Sequence, residues 1–315
     1  MSLKTAIIVP CYNEEGVVED SIPQLTELIE HLISNGKISS ESRIICVDDG
    51  SNDATWNIID NIAVTNNYLT GIKLSRNVGH QNAILAGLSA SGEFDITITI
   101  DVDLQDDISI VERMIDRYND GCEIVYGVRK SRKDDSFFKK QTANLFYNLM
   151  KNSGTDVIPN HADFRLMSSK AVSSLLEFRE RNLFLRGIVP LIGFKNDIIY
   201  YDRKPRIKGR SKYPTVKMIS FAIEGITSFS VRPIRMIFTV GVIFLVITIT
   251  VSIYVLISIL QGKTYPGWAS IMLSMWFIGS LLLISLGIIG EYVSKIYLEV
   301  KNRPRFIIEK TIKKP

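Results

Sequence analysis

Cysteine is scarce and unpatterned in this 315-residue chain. Cys11, Cys46 and Cys122 are odd in number and sit at neither metal-binding nor redox spacing, which suits a reducing compartment and excludes a disulfide framework. A secretory leader is also missing, because MSLKTAIIVPCYNEE holds only a short apolar run before charges resume. The N-terminal region is therefore expected to stay in the cytosol. There is no internal repeat or low-complexity tract, and the length allows one large or two modest domains. Charge is wholly absent from two stretches, residues 236–260 and 268–290. Each exceeds the roughly 20 residues needed to cross a hydrocarbon core, and the first would run ~37 Å as a helix. Helices buried in a soluble core rarely run so long without an ionisable group, so both stretches are expected to span a membrane.

The connector Gln261–Gly267 is short and contains Pro266, which makes the two spans a tight antiparallel hairpin. Its one charge is Lys263, whereas Arg232 and Arg235 precede the first span and Lys295, Lys301, Arg303 and Arg305 follow the second. The positive-inside rule then puts both ends in the cytoplasm. Neither span contains Gly-x-x-x-Gly, so the commonest helix-pairing signal is missing. The net charge of +4 conceals an asymmetry: residues 1–202 hold 20 basic and 29 acidic side chains, while residues 203–235 hold nine basic against Glu224 alone. Basic residues beside a span are drawn to anionic lipid headgroups by about 1 kcal/mol each. The adjoining spans favour that partner over nucleic acid. Residues Pro214–Ser230 carry apolar side chains at helical spacing and either lie in the membrane interface or pack on the soluble domain.

The first half alternates between short apolar runs and helical patterns. Ala6–Val9, Arg43–Val47, Gly71–Leu74, Ile96–Ile100 and Glu123–Tyr126 read as buried strands, and Phe164–Met167 as a further one. Val17–Ile33, Asp53–Trp56 onward, His80–Ala90, Ile108–Tyr118, Thr142–Lys151 and Val172–Leu176 read as helices. This alternation predicts an open α/β sheet with right-handed crossovers and ligands at the carboxyl ends of its strands. Those ends read Pro10–Glu14, Asp48–Ser51, Ser75–Asn77, Asp101–Gln105 and Gly127–Arg129, so the polar residues gather where a site belongs.

Asp101 and Asp103 are offset by two at a strand end and can converge on one ion. Carboxylate oxygen is the hard ligand that Mg2+ or Mn2+ prefers, with phosphate and water completing the shell. An ion on a diphosphate would neutralise charge on a departing nucleotide. Alone, such a pair more often marks a solvated turn. Asp53 reads as a helix cap rather than a substrate contact. Asp48 either orients a loop or binds ligand, and His80 reads as a hydrogen bonder at a helix end. The Arg129 fork suits phosphate better than a surface ion pair.

Pro10-Cys11-Tyr12-Asn13-Glu14-Glu15, Val47–Thr55, Ser75–Gln81, Asp101–Gln105, Ala162–Met167 and Arg206–Tyr213 occur in order along the chain. The set resembles the GT-A glycosyltransferases that act on polyprenyl phosphates, which include dolichyl-phosphate mannose synthase and the bactoprenol glucosyltransferases. With two spans, the bactoprenol branch fits best. The resemblance implies a GT-A, Rossmann-like mixed sheet with flanking helices over residues 1–205. After it come a basic, amphipathic interface segment at 206–233, a two-helix transmembrane hairpin at 234–291 and a cytosolic basic tail at 292–315. It implies that Pro10, Tyr12, Glu14, Asp49, Arg76, Asp101 and Gln105 bind the donor. Asp101 and Asp103 would take Mg2+ or Mn2+, Asp103 and Asp163 would be catalytic, and Asp163 would serve the acceptor as base or positioning group. Arg129, Arg206, Arg210, Ser211 and Lys212 would face anionic phosphates.

The implied reaction is inverting transfer of a hexose, glucose from UDP-glucose, to undecaprenyl phosphate at the cytoplasmic leaflet. UDP-N-acetylglucosamine, GDP-mannose or a modified pentose are alternative donors, and a non-catalytic membrane adaptor is the alternative outside enzymology. A flippase and an outer-face transferase would act downstream, and the resemblance permits a homo-oligomer. A processive synthase is disfavoured, since none of Trp56, Trp268 and Trp276 follows an arginine as its Gln-x-x-Arg-Trp motif requires. The tail Arg305–Lys314 either adds a strand through Phe306-Ile307-Ile308 or frays.

Overall fold

Thr5–Cys11 form β1 at the heart of the sheet, and all seven residues are buried. Burial on both faces is why the run is apolar without alternation. The computed structural model describes residues 2–130, 161–180, 185–202, 232–261 and 267–312. They divide into two compact units, one holding the strands and the segment from Arg303 on, the other holding two long helices.

In the first unit, β1 is followed by α1 (Glu15–Ser34), β2 (Arg43–Asp48), α2 (Thr55–Thr65), β3 (Leu69–Leu74), α3 (His80–Ser89) and β4 (Ile96–Thr99). Then come α4 (Val111–Asn119), β5 (Ile124–Arg129), β6 (His161–Ser168), α5 (Ser169–Glu177), α6 (Leu185–Leu191) and β7 (Asn196–Tyr201). The last strand, β8 (Ile308–Ile312), comes from the C-terminal segment. Among the described residues the sheet has eight strands in the order β7-β5-β6-β4-β1-β2-β3-β8. β4, β1, β2 and β3 are parallel, as are β5 and β7, whereas β6 and β8 run antiparallel to their neighbours.

The chain steps outward from β1 to β2 and β3, then returns to place β4 on the other side of β1. That reversal is a topological switch point, and it opens a crevice at the carboxyl ends of β1 and β4. Helix α3 lies close against the strands, since a Cβ at Gly87 would overlap the side chain of Ile8. Its N-terminal residue His80 is thereby held beside the crevice.

Among the described residues the expected strands and helices of the first half are present, most of them longer by a few residues. The helix expected at Thr142–Lys151, the interface segment and Arg206, Arg210, Ser211 and Lys212 lie outside the described residues. The tail does add a strand: Ile312, Thr311, Lys310 and Ile308 pair with Gly71, Ile72, Lys73 and Leu74. Ser75 N extends the ladder by donating to Ile307 O at 3.0 Å.

The second unit holds α7 (Arg232–Leu260) and α8 (Trp268–Lys301), which touch through Phe244 and Phe277 with ring centroids 5.4 Å apart. Within α8, the 25 residues Phe277–Lys301 are long and apolar enough to cross a membrane, and Leu282, Leu283, Ile284 and Leu286 are exposed along it. Exposed apolar surface of that extent marks a lipid or protein contact. The expectation of two spans is corrected to this extent: among the described residues one helix meets the requirement. It lies further along the chain than residues 268–290, reaching past Gly290 to Lys301.

Gly50 follows β2 with φ +63°, and a Cβ there would stand 2.5 Å from Arg76 C and 2.6 Å from Asn77 N. Both contacts are with backbone, which cannot swing away. Gly50→Ala is therefore expected to cost at least about 2 kcal/mol in a denaturant titration, from left-handed strain plus overlap. A loss within 0.5 kcal/mol would mean that the two loops are not in contact.

Candidate active site

The loops after β1 and β2 are stitched together by side chains. Asn13, left-handed at φ 52°, donates its backbone N–H to Ser51 Oγ at 2.9 Å and accepts from Asn52 N through Oδ1 at 2.9 Å. Glu14 N donates to Thr55 Oγ1 at 2.9 Å. Asp53 accepts from Thr55 N at 3.0 Å and from Glu15 N at 3.3 Å, so it satisfies the start of α2 as expected and also ties α1 to it. Asp48 accepts from Ser51 N at 3.3 Å, which makes it an organiser of its own loop.

Asp49 reaches across to the β3–α3 loop, where its two oxygens accept from Val78 N at 2.7 Å and Gly79 N at 2.9 Å. Burial lifts Asp48 and Asp49 above the ordinary carboxylate range, against the pull of these N–H groups. Pro10 is buried in β1 and Tyr12 is exposed at its end. Arg76 lines a cleft of about 410 Å³ whose other wall includes Pro304 and Arg305 from the C-terminal segment. None of Asp101, Asp103 and Asp163 lines it.

The acidic cluster follows from strand register. Thr99 in β4 pairs with Arg165 in antiparallel β6. Asp101 lies two residues past Thr99 and Asp163 two residues before Arg165, so both carboxylates arrive at the same end of the sheet. Thr99 Oγ1 donates to Asp163 O and fixes the junction. Beyond it the chain turns, with Leu104 N donating to Asp101 O at 3.2 Å and Leu104 left-handed at φ 42°. Val102 and Leu104 are buried, and the alternation leaves Asp101 and Asp103 on the outward side. Asp103 Oδ1 accepts from Gln105 N at 3.3 Å. Gln105 is buried, and its Nε2 has no hydrogen-bond partner among the described residues.

Three cations converge on the pair of carboxylates. His80 Nε2 stands 3.3 Å from Asp101 Oδ1 and 3.5 Å from Asp163 Oδ2. Arg165, 1% exposed, donates to Asp163 Oδ1 at 2.9 Å. Arg186 at the start of α6 donates to Asp163 Oδ2 at 3.2 Å, and Gln81 Oε1 holds that helix by accepting from Leu185 N at 2.8 Å. Burial disfavours charge on His80, but its hydrogen bonds to Asp101 and Asp163 outweigh this and raise it to about 10. Burial likewise opposes charge on Asp163, yet Arg186, His80 and Arg165 together hold it well below the usual carboxylate range. Asp101 is held down by His80 against the same opposition.

Arg129 is paired within the fold. Its Nε and Nη2 donate to buried Asp106 Oδ1 at 3.1 and 2.9 Å, and Nε also to Tyr201 Oη at 3.3 Å. The reason is that β5 runs on to Arg129 beside β7, which pairs Arg129 with Tyr201. Asp106, Arg165, Arg186 and Tyr201 were not singled out from the sequence. For Arg165 a signal existed, since a residue two positions from Asp163 on a strand shares its face.

The profile of the family described as glycosyl transferase family 2 matches residues 6–176. The sequence is 51% identical to the uncharacterized glycosyltransferase YkoT of Bacillus subtilis, over 96% of this chain and 90% of that one. It is 37% identical to the SfII prophage-derived bactoprenol glucosyl transferase of Shigella flexneri, over 98% of each chain. Among solved structures, glucosyl-3-phosphoglycerate synthase from Mycobacterium tuberculosis, in complex with Mn2+, uridine diphosphate and phosphoglyceric acid, covers 71% of this chain and 76% of its own. Its identity is 15% and its TM-score 0.49, a likeness too loose to carry an argument about the site.

Asp163 is the counter-ion of buried Arg165, so Asp163→Asn is expected to destabilise the fold by about 3–5 kcal/mol in a denaturant titration. Combining it with Arg165→Met should recover most of that loss; a double variant no more stable than the single one would refute the pairing. Because the folded-state pKa of Asp163 lies below its unfolded value, this stabilisation is complete above ~pH 4 and is lost as pH falls through the depressed value.

Proposed function

Because the chain belongs to glycosyl transferase family 2, we propose that it moves a hexose, glucose from UDP-glucose, onto undecaprenyl phosphate at the inner face of a membrane. The observation that carries the reading is the meeting of Asp101 and Asp163 with His80, Arg165 and Arg186 at the switch point of the sheet. The three cations offset the charge of Asp101, Asp163 and neighbouring Asp103 where a diphosphate would depart. The near-full-length relatives named bactoprenol glucosyl transferases support the acceptor and the sugar. The membrane-length stretch of α8 supports a lipid-linked acceptor.

Asp101 and Asp103 present hard oxygens on the outward side of their turn, and no group of three or more metal-ligating side chains exists among the described residues. Such a pair fits Mg2+ or Mn2+ that draws its other ligands from phosphate and water. When bound, the ion would neutralise charge on the leaving diphosphate. Gln105 offers a buried amide donor to the donor sugar or its phosphates.

In the transfer itself, an acceptor phosphate oxygen forms a bond to the anomeric carbon as the bond to the diphosphate breaks, and the electron pair leaves with the nucleotide. A phosphate monoester has a second pKa of about 6, so the nucleophile is largely deprotonated at neutral pH. Asp163, held far below its ordinary range by three cations, is a poor proton acceptor. Its work is to fix Arg186 and His80 around the acceptor phosphate, and catalysis rests on orientation and charge.

Detergent-purified full-length protein with undecaprenyl phosphate and Mg2+ or Mn2+ is expected to yield labelled lipid from UDP-glucose. It should yield none from UDP-N-acetylglucosamine or GDP-mannose. Chelator and Asp103→Ala should each abolish the product. Label from another donor would replace the sugar in this reading, and label from none, with nucleotide binding intact, would overturn the transferase.

A further inference from the structure

The turn that carries Asp101 and Asp103 includes a strained residue, Leu104 at φ 42°. A non-glycine residue in that region costs on the order of 1–3 kcal/mol and persists only where its surroundings enforce it. Upstream, β4 holds the turn through Ile100 N donating to Ile8 O at 3.0 Å. Downstream, the next side chain after Gln105 is Asp106, 2% exposed, with Oδ1 taking both N–H bonds from Arg129. Arg129 is in turn steadied by Tyr201 Oη, and the Tyr201 ring packs edge-on against Phe164 at 5.7 Å. Gly127 makes room for that packing, since a Cβ there would stand 3.0 Å from Phe164 Cδ1 and 3.1 Å from Tyr201 Cε1. Phe164 directly follows Asp163. One chain of contacts thus runs from the Asp101–Gln105 turn through β5 and β7 to the strand that bears Asp163.

We propose that Asp106, with Arg129 and Tyr201, is a positioning unit that holds the Asp101–Gln105 turn in its strained form and so sets where Asp101 and Asp103 point. The inference rests on the preceding reading only in taking those two aspartates as ligands of a divalent cation. Asp106 itself faces Arg129 and stays away from substrate; its effect passes through the backbone it anchors.

Two readouts on the purified full chain test this. Backbone hydrogen exchange reports the anchor directly: in Asp106→Asn the amides of residues 101–106 should exchange about tenfold faster while those of β1, β2 and β3 keep their protection. Mn2+ affinity, followed by electron paramagnetic resonance, should fall about tenfold in the same variant, as for loss of an outer-shell partner. Tyr201→Phe removes a hydroxyl and leaves the ion pair, and should give the same pattern at about threefold. It carries the comparison if Asp106→Asn does not fold. Unchanged exchange in the turn, or faster exchange spread evenly over the sheet, would overturn the proposal. A wild-type chain that binds no Mn2+ would instead count against Asp101 and Asp103 as ligands, with exchange still deciding the anchor.

Discussion

Arg165 carries a full positive charge into a place almost closed to water, and Asp163 is what makes that tolerable. An ion transferred into a protein interior costs several kcal/mol unless it is paired and hydrogen-bonded. The pairing is possible because Asp163 and Arg165 lie two residues apart on β6 and so share one face. The antiparallel register of β6 against β4 sets Asp163 opposite Asp101 and within reach of His80 and Arg186. If β6 slipped by one residue, every side chain on it would change face and the charge cluster would disperse.

This constraint limits the chemistry open to Asp163. A carboxylate that neutralises a buried guanidinium and also receives His80 and Arg186 has little affinity left for a proton. The arrangement suits a reaction whose nucleophile needs holding more than activating. It also means that removing Asp163 would remove a structural counter-ion and a candidate site residue together. Loss of activity on its own would not separate the two roles, whereas stability with and without Arg165 would.

What the sequence disclosed followed the range of its interactions. β1 to β4 were readable because each is a short apolar run closed by polar residues, and the loops at their ends followed from the rule for open α/β sheets. Asp101 and Asp103 were readable as neighbours along the chain. The pairing of Arg129 with Asp106 was not legible because the two are 23 residues apart and meet only once β5, β6 and β7 are assembled. His80 was read as a helix-end residue, which it is, but its bridge from Asp101 to Asp163 depends on how α3 lies over Ile8 and Val47. The fate of the tail stayed open because Phe306-Ile307-Ile308 is too short to announce a strand without the edge of β3 to receive it.

That edge imposes an order on assembly. Ile308–Ile312 are made after α7 and α8, some 230 residues later than β3. At ribosomal rates of 5–20 residues per second, β3 waits roughly 10–50 s for its neighbour. Throughout that interval the nascent domain displays an unpaired strand edge, the feature that invites pairing with the wrong chain. Completion of the sheet is thus deferred until the apolar helices have been synthesised, and a polypeptide stalled before them would remain adhesive.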